Sequence, residues 1–262
     1  MSIYSDKFIF IYCMALAVIV GAVLGSFLNC VAMRIVRKES FLKGRSHCPK
    51  CGHVLGIPDL IPLFSWIFLR GKCRHCGEKV SARYPVTEAV MSVVTAVLLL
   101  RCDLSILFLR NLIFSCLLFV LSLVDYESYE IPNITIILGI VVWAAFLPLM
   151  DSPMDALKSG VIAALVFGVG ILAISVLLDI ILKKDSLGGG DIKLIFVAGL
   201  YLGVVPSLFM MIIACFTGLI FAAALRKVAD GKPFPFGPAI SIATFLMMLF
   251  GQTLADWYLA LF

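Results

Sequence analysis

The chain has 262 residues, of which 62% are hydrophobic and only 14% are charged, and its formal net charge is +5. This composition excludes an ordinary soluble globular protein and indicates a membrane protein. Because the positive charge falls in loops beside apolar runs, it indicates membrane topology and contact with anionic lipid, and it disfavours nucleic-acid binding.

Long apolar runs predict about eight transmembrane helices, and hence an all-α polytopic membrane protein. The first run, 8–33, is too long for a signal-peptide core and follows no basic leader, so we expect it to be retained. The later runs are 89–100, 104–124, 131–150, 159–178, 194–225 and 233–255. The run 194–225 contains Gly203 and Pro206, which favour two helices joined by a tight turn, so that the weakest spans are 84–100 and 192–205.

The distribution of Lys and Arg predicts the orientation of these spans. Of 21 such residues, 11 lie in the single polar segment 34–83. Eight spans place 17 of them on one side of the membrane and three on the other. We therefore expect the 34–83 segment in the cytosol and both termini outside.

Four of the nine cysteines form two pairs within this cytosolic segment, Cys48-x-x-Cys51 and Cys73-x-x-Cys76, each followed by glycine. Four thiolates suit tetrahedral zinc, and a reducing cytosol disfavours disulfides. A metal would also stabilise a loop domain of about fifty residues, which is near the lower limit for an independent core. The sequence therefore predicts a structural zinc site on the four cysteines, and a redox-active dithiol pair is the alternative.

Two aspartates stand at the cytosolic ends of apolar runs, where a carboxylate is costly and hence a candidate for function. Asp125 ends the run 104–124, and Asp191 follows Gly188-Gly189-Gly190. Two carboxyls that share a proton can activate water and polarise a carbonyl, as in aspartic proteases. The glycines would let the backbone approach an extended substrate and adopt unusual turns. The alternative is that Asp191 merely caps a helix that starts at Ile192.

Other charged residues near the apolar runs are expected to have structural roles. Glu127 and Glu130 follow Asp125 closely and are expected to face water. Arg110 lies two turns in from the outer face of its span, a depth from which its side chain can snorkel.

These motifs, in this order, resemble those of the type IV prepilin peptidases, which are bifunctional leader peptidases and N-methyltransferases of the Gly-x-Gly-Asp intramembrane aspartic protease class. The resemblance covers nearly the whole chain. Besides the cysteine pairs and the two aspartates, it rests on Gly25-Ser26-Phe27-Leu28-Asn29, Arg83-Tyr84-Pro85 with Glu88, Ile131-Pro132 and Pro235-Phe236-Gly237-Pro238.

The resemblance implies a catalytic role for Asp125 and Asp191 in removing the basic leader of pilin-like precursors at the cytosolic face of the bacterial inner membrane. It also implies methylation of the new N-terminal residue with S-adenosylmethionine. The implied organisation is a first transmembrane helix at 1–33, a cytosolic zinc-binding loop domain with the methyltransferase part at 34–83, and a seven-helix aspartic peptidase membrane domain at 84–262. The residues that bind the methyl donor and the oligomeric state are left open.

The sequence leaves two alternatives open and disfavours a third. The chain could be a peptidase without methyltransferase activity, or a non-catalytic scaffold whose zinc loop binds a partner in pilus or secretion assembly. An ion-coupled transporter is disfavoured, because transporters place such charges near the membrane midplane.

Overall fold

Helices dominate the part of the chain that the computed structural model describes, residues 4, 6–40, 44, 46–183, 187–224 and 234–261. The α-helices in chain order are α1 (Lys7–Val36), α2 (Phe64–Phe68), α3 (Arg83–Cys102), α4 (Ile106–Ser128), α5 (Asn133–Phe146), α6 (Pro153–Ala163), α7 (Gly170–Leu182), α8 (Gly189–Leu202), α9 (Val204–Ala224) and α10 (Gly237–Leu259). A π-helical turn, Ala164–Val169, joins α6 to α7. Extended structure within these ranges is limited to two isolated bridges.

Helices occupy all eight positions at which the sequence predicts a membrane span. Among the described residues, six segments are long and apolar enough to cross a membrane: α1, α3, α4, α6 with α7, α9 and α10. The other two predicted spans coincide with α5 and α8, which have 14 residues each, against about 20 for a full crossing. The chain is an all-α polytopic membrane protein, as predicted.

The chain folds as two compact units, Met1–Phe108 and Leu109–Phe262. In the first unit, α1 and α3 pack so closely that their backbones touch. A Cβ atom added at Gly21 or Gly25 would lie 2.5 Å from a carbonyl oxygen of α3. Small residues four apart allow this approach, which is a common basis of helix pairing in membranes. The functional division predicted at residues 33 and 83 stays a prediction.

In the second unit, α8 is the central helix and packs against α5, α6, α9 and α10. Its residues are buried on almost every face from Ile192 to Tyr201. Neighbouring backbones again come close, since a Cβ added at Gly160 of α6 would lie 2.5 Å from the carbonyl oxygen of Leu200. Surrounded in this way, α8 is held rigidly, and its first turn carries Asp191.

Candidate functional site

Asp125 lies in the last turn of α4 and is buried, with 4% of its surface exposed. The helix ends just beyond it, where Tyr129 adopts a left-handed conformation with φ 58° and its N–H donates to the carbonyl oxygen of Asp125. The backbone N–H of Gly237, in the first turn of α10, donates to Oδ2 of Asp125 at 2.9 Å. The carboxyl is therefore fixed by two helix ends that are distant in sequence.

Gly237 leaves no room for a side chain beside this carboxyl. A Cβ atom added there would lie 2.8 Å from Oδ2 of Asp125 and 3.2 Å from its Cγ. Since real Cβ contacts are essentially never shorter than 3.0 Å, any other residue would displace Asp125 or the start of α10.

Asp191 is half-buried in the first turn of α8. The helix begins at Gly189, three residues earlier than the capping alternative supposes, and its N-cap is Gly188, without a side-chain hydrogen bond. Asp191 is therefore not the N-cap, and the capping alternative is wrong. Its carboxyl remains available for another role.

None of the three glycines before Asp191 has a positive φ, so the absence of a side chain matters here for steric reasons. The expectation that they adopt unusual turns is therefore wrong, and their steric role differs from one to the next. A Cβ added at Gly190 would lie 2.8 Å from Cβ of Ile131, whereas one at Gly189 would meet no atom of the described residues within 4 Å. Gly190 thus lets α8 pack against the segment after α4, and Gly189 borders open space.

These contacts bring the ends of α4, α8 and α10 together, and with them the two predicted aspartates. The first turn of α8, which carries Asp191, packs through Gly190 against Ile131, six residues after Asp125. A hydrogen bond also joins α8 to α5, since Nζ of Lys193 donates to Oδ1 of Asn133 at 2.9 Å. Glu127 and Glu130 are exposed, as predicted from the sequence.

Two neighbouring carboxyls with little access to water can share one proton, because both cannot be ionised together at low cost. Such a pair can take a proton from water while donating one to a carbonyl oxygen. The open space at Gly189 would admit an extended backbone beside it.

The four paired cysteines also meet, in two turns with the same hydrogen bonds. The N–H of Cys48 donates to the carbonyl of His53, and the N–H of Cys73 donates to that of Glu78. Gly52 and Gly77 close the turns with φ of 71° and 72°, a conformation that glycine adopts without strain.

The sulfur atoms of Cys48, Cys51, Cys73 and Cys76 lie within 4.8 Å of one another, and those of Cys48 and Cys76 are 4.0 Å apart. In a tetrahedral site with zinc–sulfur bonds of about 2.3 Å, sulfur atoms are about 3.8 Å apart. The cluster therefore fits a metal with only a small contraction.

Two thiols of this cluster have pKa values that are displaced in opposite directions. Backbone N–H groups of Cys51 and Lys50 hold the pKa of Cys48 down at about 7. The N–H of Glu78 lowers the pKa of Cys76, but burial and the other three sulfurs raise it overall to about 12. A bound cation would relieve this repulsion, so the cluster could hold a structural metal.

Sequence reasoning gave no role to Gly237 or Asn133, although both contact the residues of the aspartate site. The sequence Pro235-Phe236-Gly237-Pro238 was the available signal for Gly237, but its partner Asp125 is 112 positions away. Nothing local to Asn133 indicates that it accepts from Lys193.

Comparisons with known proteins agree over most of the chain. Residues 19–102 match the Bacterial Peptidase A24 N-terminal domain, and residues 112–223 match the Type IV leader peptidase family. No solved structure gives a significant match.

Several relatives are similar over nearly their whole length. A Bacillus subtilis (strain 168) protein described as a prepilin leader peptidase/N-methyltransferase is 32% identical, over 92% of this chain and 96% of the relative. A Neisseria gonorrhoeae protein of the same description is 26% identical, over 95% of each chain. An Escherichia coli O78:H11 protein described as a type 4 prepilin-like proteins leader peptide-processing enzyme is 31% identical, over 87% of this chain and 90% of the relative.

Proposed function

Because the chain belongs to the type IV leader peptidase family, we propose that it is an aspartic endopeptidase that removes the basic leader of pilin-like precursors. The printed descriptions of its relatives support this class of substrate. The observation that supports the aspartic mechanism is the convergence of three helix ends, two of which carry Asp125 and Asp191.

In this proposal, the two aspartates divide the work of peptide hydrolysis. The ionised carboxylate takes a proton from a water molecule as its oxygen attacks the scissile carbonyl carbon, and the protonated carboxyl donates its proton to the carbonyl oxygen. The tetrahedral intermediate, a gem-diol, then collapses: the C–N bond breaks and the leaving amine takes up the proton that came from water. As the new carboxyl group forms, one hydroxyl of the intermediate returns its proton to the dyad. The dyad is left with one proton, as at the start.

The hydrogen bond from Gly237 supports this division of labour. It satisfies Oδ2 of Asp125, and in this proposal Oδ1 receives the proton from water and shares it with Asp191. A carboxyl held in one rotamer needs no reorganisation when the substrate arrives, which is an advantage in catalysis.

We further propose that the metal is zinc, held by Cys48, Cys51, Cys73 and Cys76 in a structural role. Four thiolates form a closed tetrahedral site with no position left for water or substrate, which is typical of structural zinc. The redox-dithiol alternative is less favourable, because all four sulfurs converge on one centre instead of forming separate pairs.

The second proposed activity is methylation of the new N-terminal amine with S-adenosylmethionine, and the descriptions of the relatives support it. When bound, this molecule would supply an electrophilic methyl group. We assign the activity to the loop domain at 34–83 together with the helix ends beside it.

We place the protein in the bacterial inner membrane, with the aspartates and the 34–83 loop facing the cytosol. The 17-to-3 distribution of Lys and Arg supports this orientation. Membrane lipid and the pilin-like precursors are then its partners.

The test is mass spectrometry of a synthetic precursor, with a basic leader before an apolar helix, incubated with the purified protein. With S-adenosylmethionine present, the product should lose the leader and gain one methyl group, and without it the product should lose the leader only. An unchanged precursor under both conditions would refute the peptidase proposal, and a product that never gains a methyl group would refute the methyltransferase proposal.

A further inference from the structure

The first compact unit contains a cavity of about 440 Å³ between the ends of its membrane helices and the four-cysteine cluster. Its volume lies within the range of about 300–1,000 Å³ that is usual for small-molecule sites. Residues from α1, the 46–81 segment and α3 line it. Neither proposed aspartate borders this cavity, so the peptidase site does not account for it.

One wall of the cavity carries a polar group that lacks a partner. Asn29 is 1% exposed and borders the cavity. Its Oδ1 accepts a hydrogen bond of 3.0 Å from Nε of Arg83, whereas its Nδ2 has no hydrogen-bond partner among the residues that the structure describes. Because a guanidinium only donates, it fixes which side of the amide is oxygen and leaves the NH2 group as the unused donor.

Buried donors are almost always paired, so an unpaired one at a cavity indicates an acceptor that the ligand supplies. Asn29 is held in place by Arg83 and by the tight packing of α1 on α3, where Gly25 touches the backbone at Thr87. The donor is therefore preorganised for its acceptor.

The aromatic part of the lining is equally well fixed. Nε1 of Trp66 donates to the carbonyl of Val80 at 3.1 Å, and the indole packs on Gly71, where an added Cβ would lie 2.9 Å from Cζ2. Tyr84 at the start of α3 also borders the cavity. A fixed indole with a second aromatic ring at the same cavity suits a flat heterocycle.

Charges of both signs border the same space. Arg34 and Arg37 at the end of α1 are cationic, and Glu88 of α3 is a buried carboxylate. Oε2 of Glu88 accepts from the N–H of Leu63 at 2.7 Å, and Leu63 has a φ of 62°. A non-glycine residue in this conformation is strained, and such strain clusters at ligand sites.

We propose that this cavity is the binding site for the methyl donor, S-adenosylmethionine, with the amide NH2 of Asn29 donating to the ligand. The proposal rests on the methyltransferase activity proposed above. The lining matches the chemistry of the donor: aromatic walls for adenine, arginines for the carboxylate, and an acidic group for the cationic sulfonium or amine. Asn29 is thus assigned as a binding residue.

The experiment measures binding of S-adenosylhomocysteine, a stable analogue of the donor, to the purified full-length protein by isothermal titration calorimetry. Asn29→Asp keeps the oxygen that accepts from Arg83 but replaces the free NH2 group with a second acceptor. We expect the dissociation constant to rise by about tenfold or more, as the loss of one buried hydrogen bond predicts.

The chain offers a matched control at Asn111. It is also 1% exposed, and its Oδ1 accepts from the neighbouring Arg110 at 3.2 Å, but it lies in the second unit and does not border the cavity. Asn111→Asp makes the same chemical change and should bind the analogue like the unaltered protein. Metal content and the thermal unfolding midpoint report whether each variant is folded.

A second variant and a second measurement do not depend on Asn29. Ser26→Leu adds bulk at a half-buried position of α1 that borders the cavity, and it should also weaken binding by about tenfold. Ultraviolet cross-linking of labelled S-adenosylmethionine to the unaltered protein, followed by peptide mapping, should place the label on residues of the cavity.

The outcomes separate the two proposals. If the unaltered protein binds the analogue and both variants bind equally well, or if the label maps outside the cavity, the site assignment is overturned and the methyltransferase proposal stands. If the unaltered protein neither binds the analogue nor methylates a cleaved precursor, both proposals are overturned.

Discussion

The backbone N–H of Gly237 donates a 2.9 Å hydrogen bond to Oδ2 of Asp125, joining residues 112 positions apart in the chain. The contact fixes a buried carboxyl at the point where α4 ends and α10 begins. It also makes the first residue of α10 part of the proposed active site, although this residue carries no side chain.

Replacing Gly237 by alanine should therefore reduce leader cleavage by about tenfold or more, because the added Cβ would lie 2.8 Å from Oδ2 of Asp125 and move the carboxyl. The measurement is the initial rate of cleavage of a synthetic precursor. Gly170→Ala in α7 is the matched control, since a Cβ there meets nothing within 4 Å. Equal rates for Gly237→Ala and the unaltered protein would show that the contact does not matter for catalysis.

The glycines before Asp191 should respond differently to alanine. Gly190→Ala would clash with Ile131, where a Cβ would lie 2.8 Å away, so we expect a lower thermal unfolding midpoint together with slower cleavage. Gly189→Ala has room in the folded protein and should leave stability unchanged, while it raises KM if the substrate backbone passes there. Kinetics and thermal unfolding of the two variants, measured in parallel, check both expectations. A large loss of stability in Gly189→Ala would contradict the finding that Gly189, in the first turn of α8, borders open space.

The composition and local spacing of the sequence predict much of this arrangement. The eight helix positions follow from apolar runs that a bilayer requires, and the cysteine cluster follows from two short turns with the same local pattern. Asp125 and Asp191 stand out because carboxylates are rare at the ends of such runs.

Features that depend on distant partners could not be predicted in this way. The partners of Arg110 are an example: the side chain is 9% exposed, its guanidinium carbon lies 5.3 Å from the ring centroid of Tyr201, and it donates to Asn111. Local sequence cannot show that α8 supplies an aromatic face to receive the cation. The burial of α8 on nearly every face could not be predicted either. A helix that is apolar all around can face other helices or lipid, and its sequence does not distinguish the two.

Replacing any one of Cys48, Cys51, Cys73 and Cys76 by serine should lower the zinc content and destabilise the loop, because a hydroxyl is a poor substitute for a thiolate ligand. Elemental analysis of the purified variants measures the metal. Methylation should suffer more than cleavage, since neither aspartate lies in the loop. Cys215→Ser, at an isolated exposed cysteine, should retain the metal in full. Full retention in a double replacement of Cys48 and Cys73 would exclude the site.

The proposed orientation predicts that cysteines introduced near Lys79 are protected in intact cells. A membrane-impermeant maleimide added outside should label them only after the membrane is permeabilised, because the 17-to-3 bias of Lys and Arg keeps this loop in the cytosol. Labelling in intact cells would reverse the orientation and place the aspartates on the outer face.

The central claim is that Asp125 and Asp191 act as one proteolytic unit. The direct test is the rate of leader cleavage by Asp125→Asn, Asp191→Asn and the double variant, each at normal protein levels. Asparagine keeps the shape of the side chain but cannot share or transfer the proton, so either single change should abolish nearly all cleavage. The double change should cost little more, since residues that act as a unit are not additive.

Glu127→Gln and Glu130→Gln are the controls, because both carboxylates are exposed beside the site, and they should cleave nearly as fast as the unaltered protein. Methylation of an already cleaved substrate should persist in Asp191→Asn. Near-complete loss of cleavage in both single asparagine variants is the result that the account predicts, and substantial leader removal by either of them would contradict it.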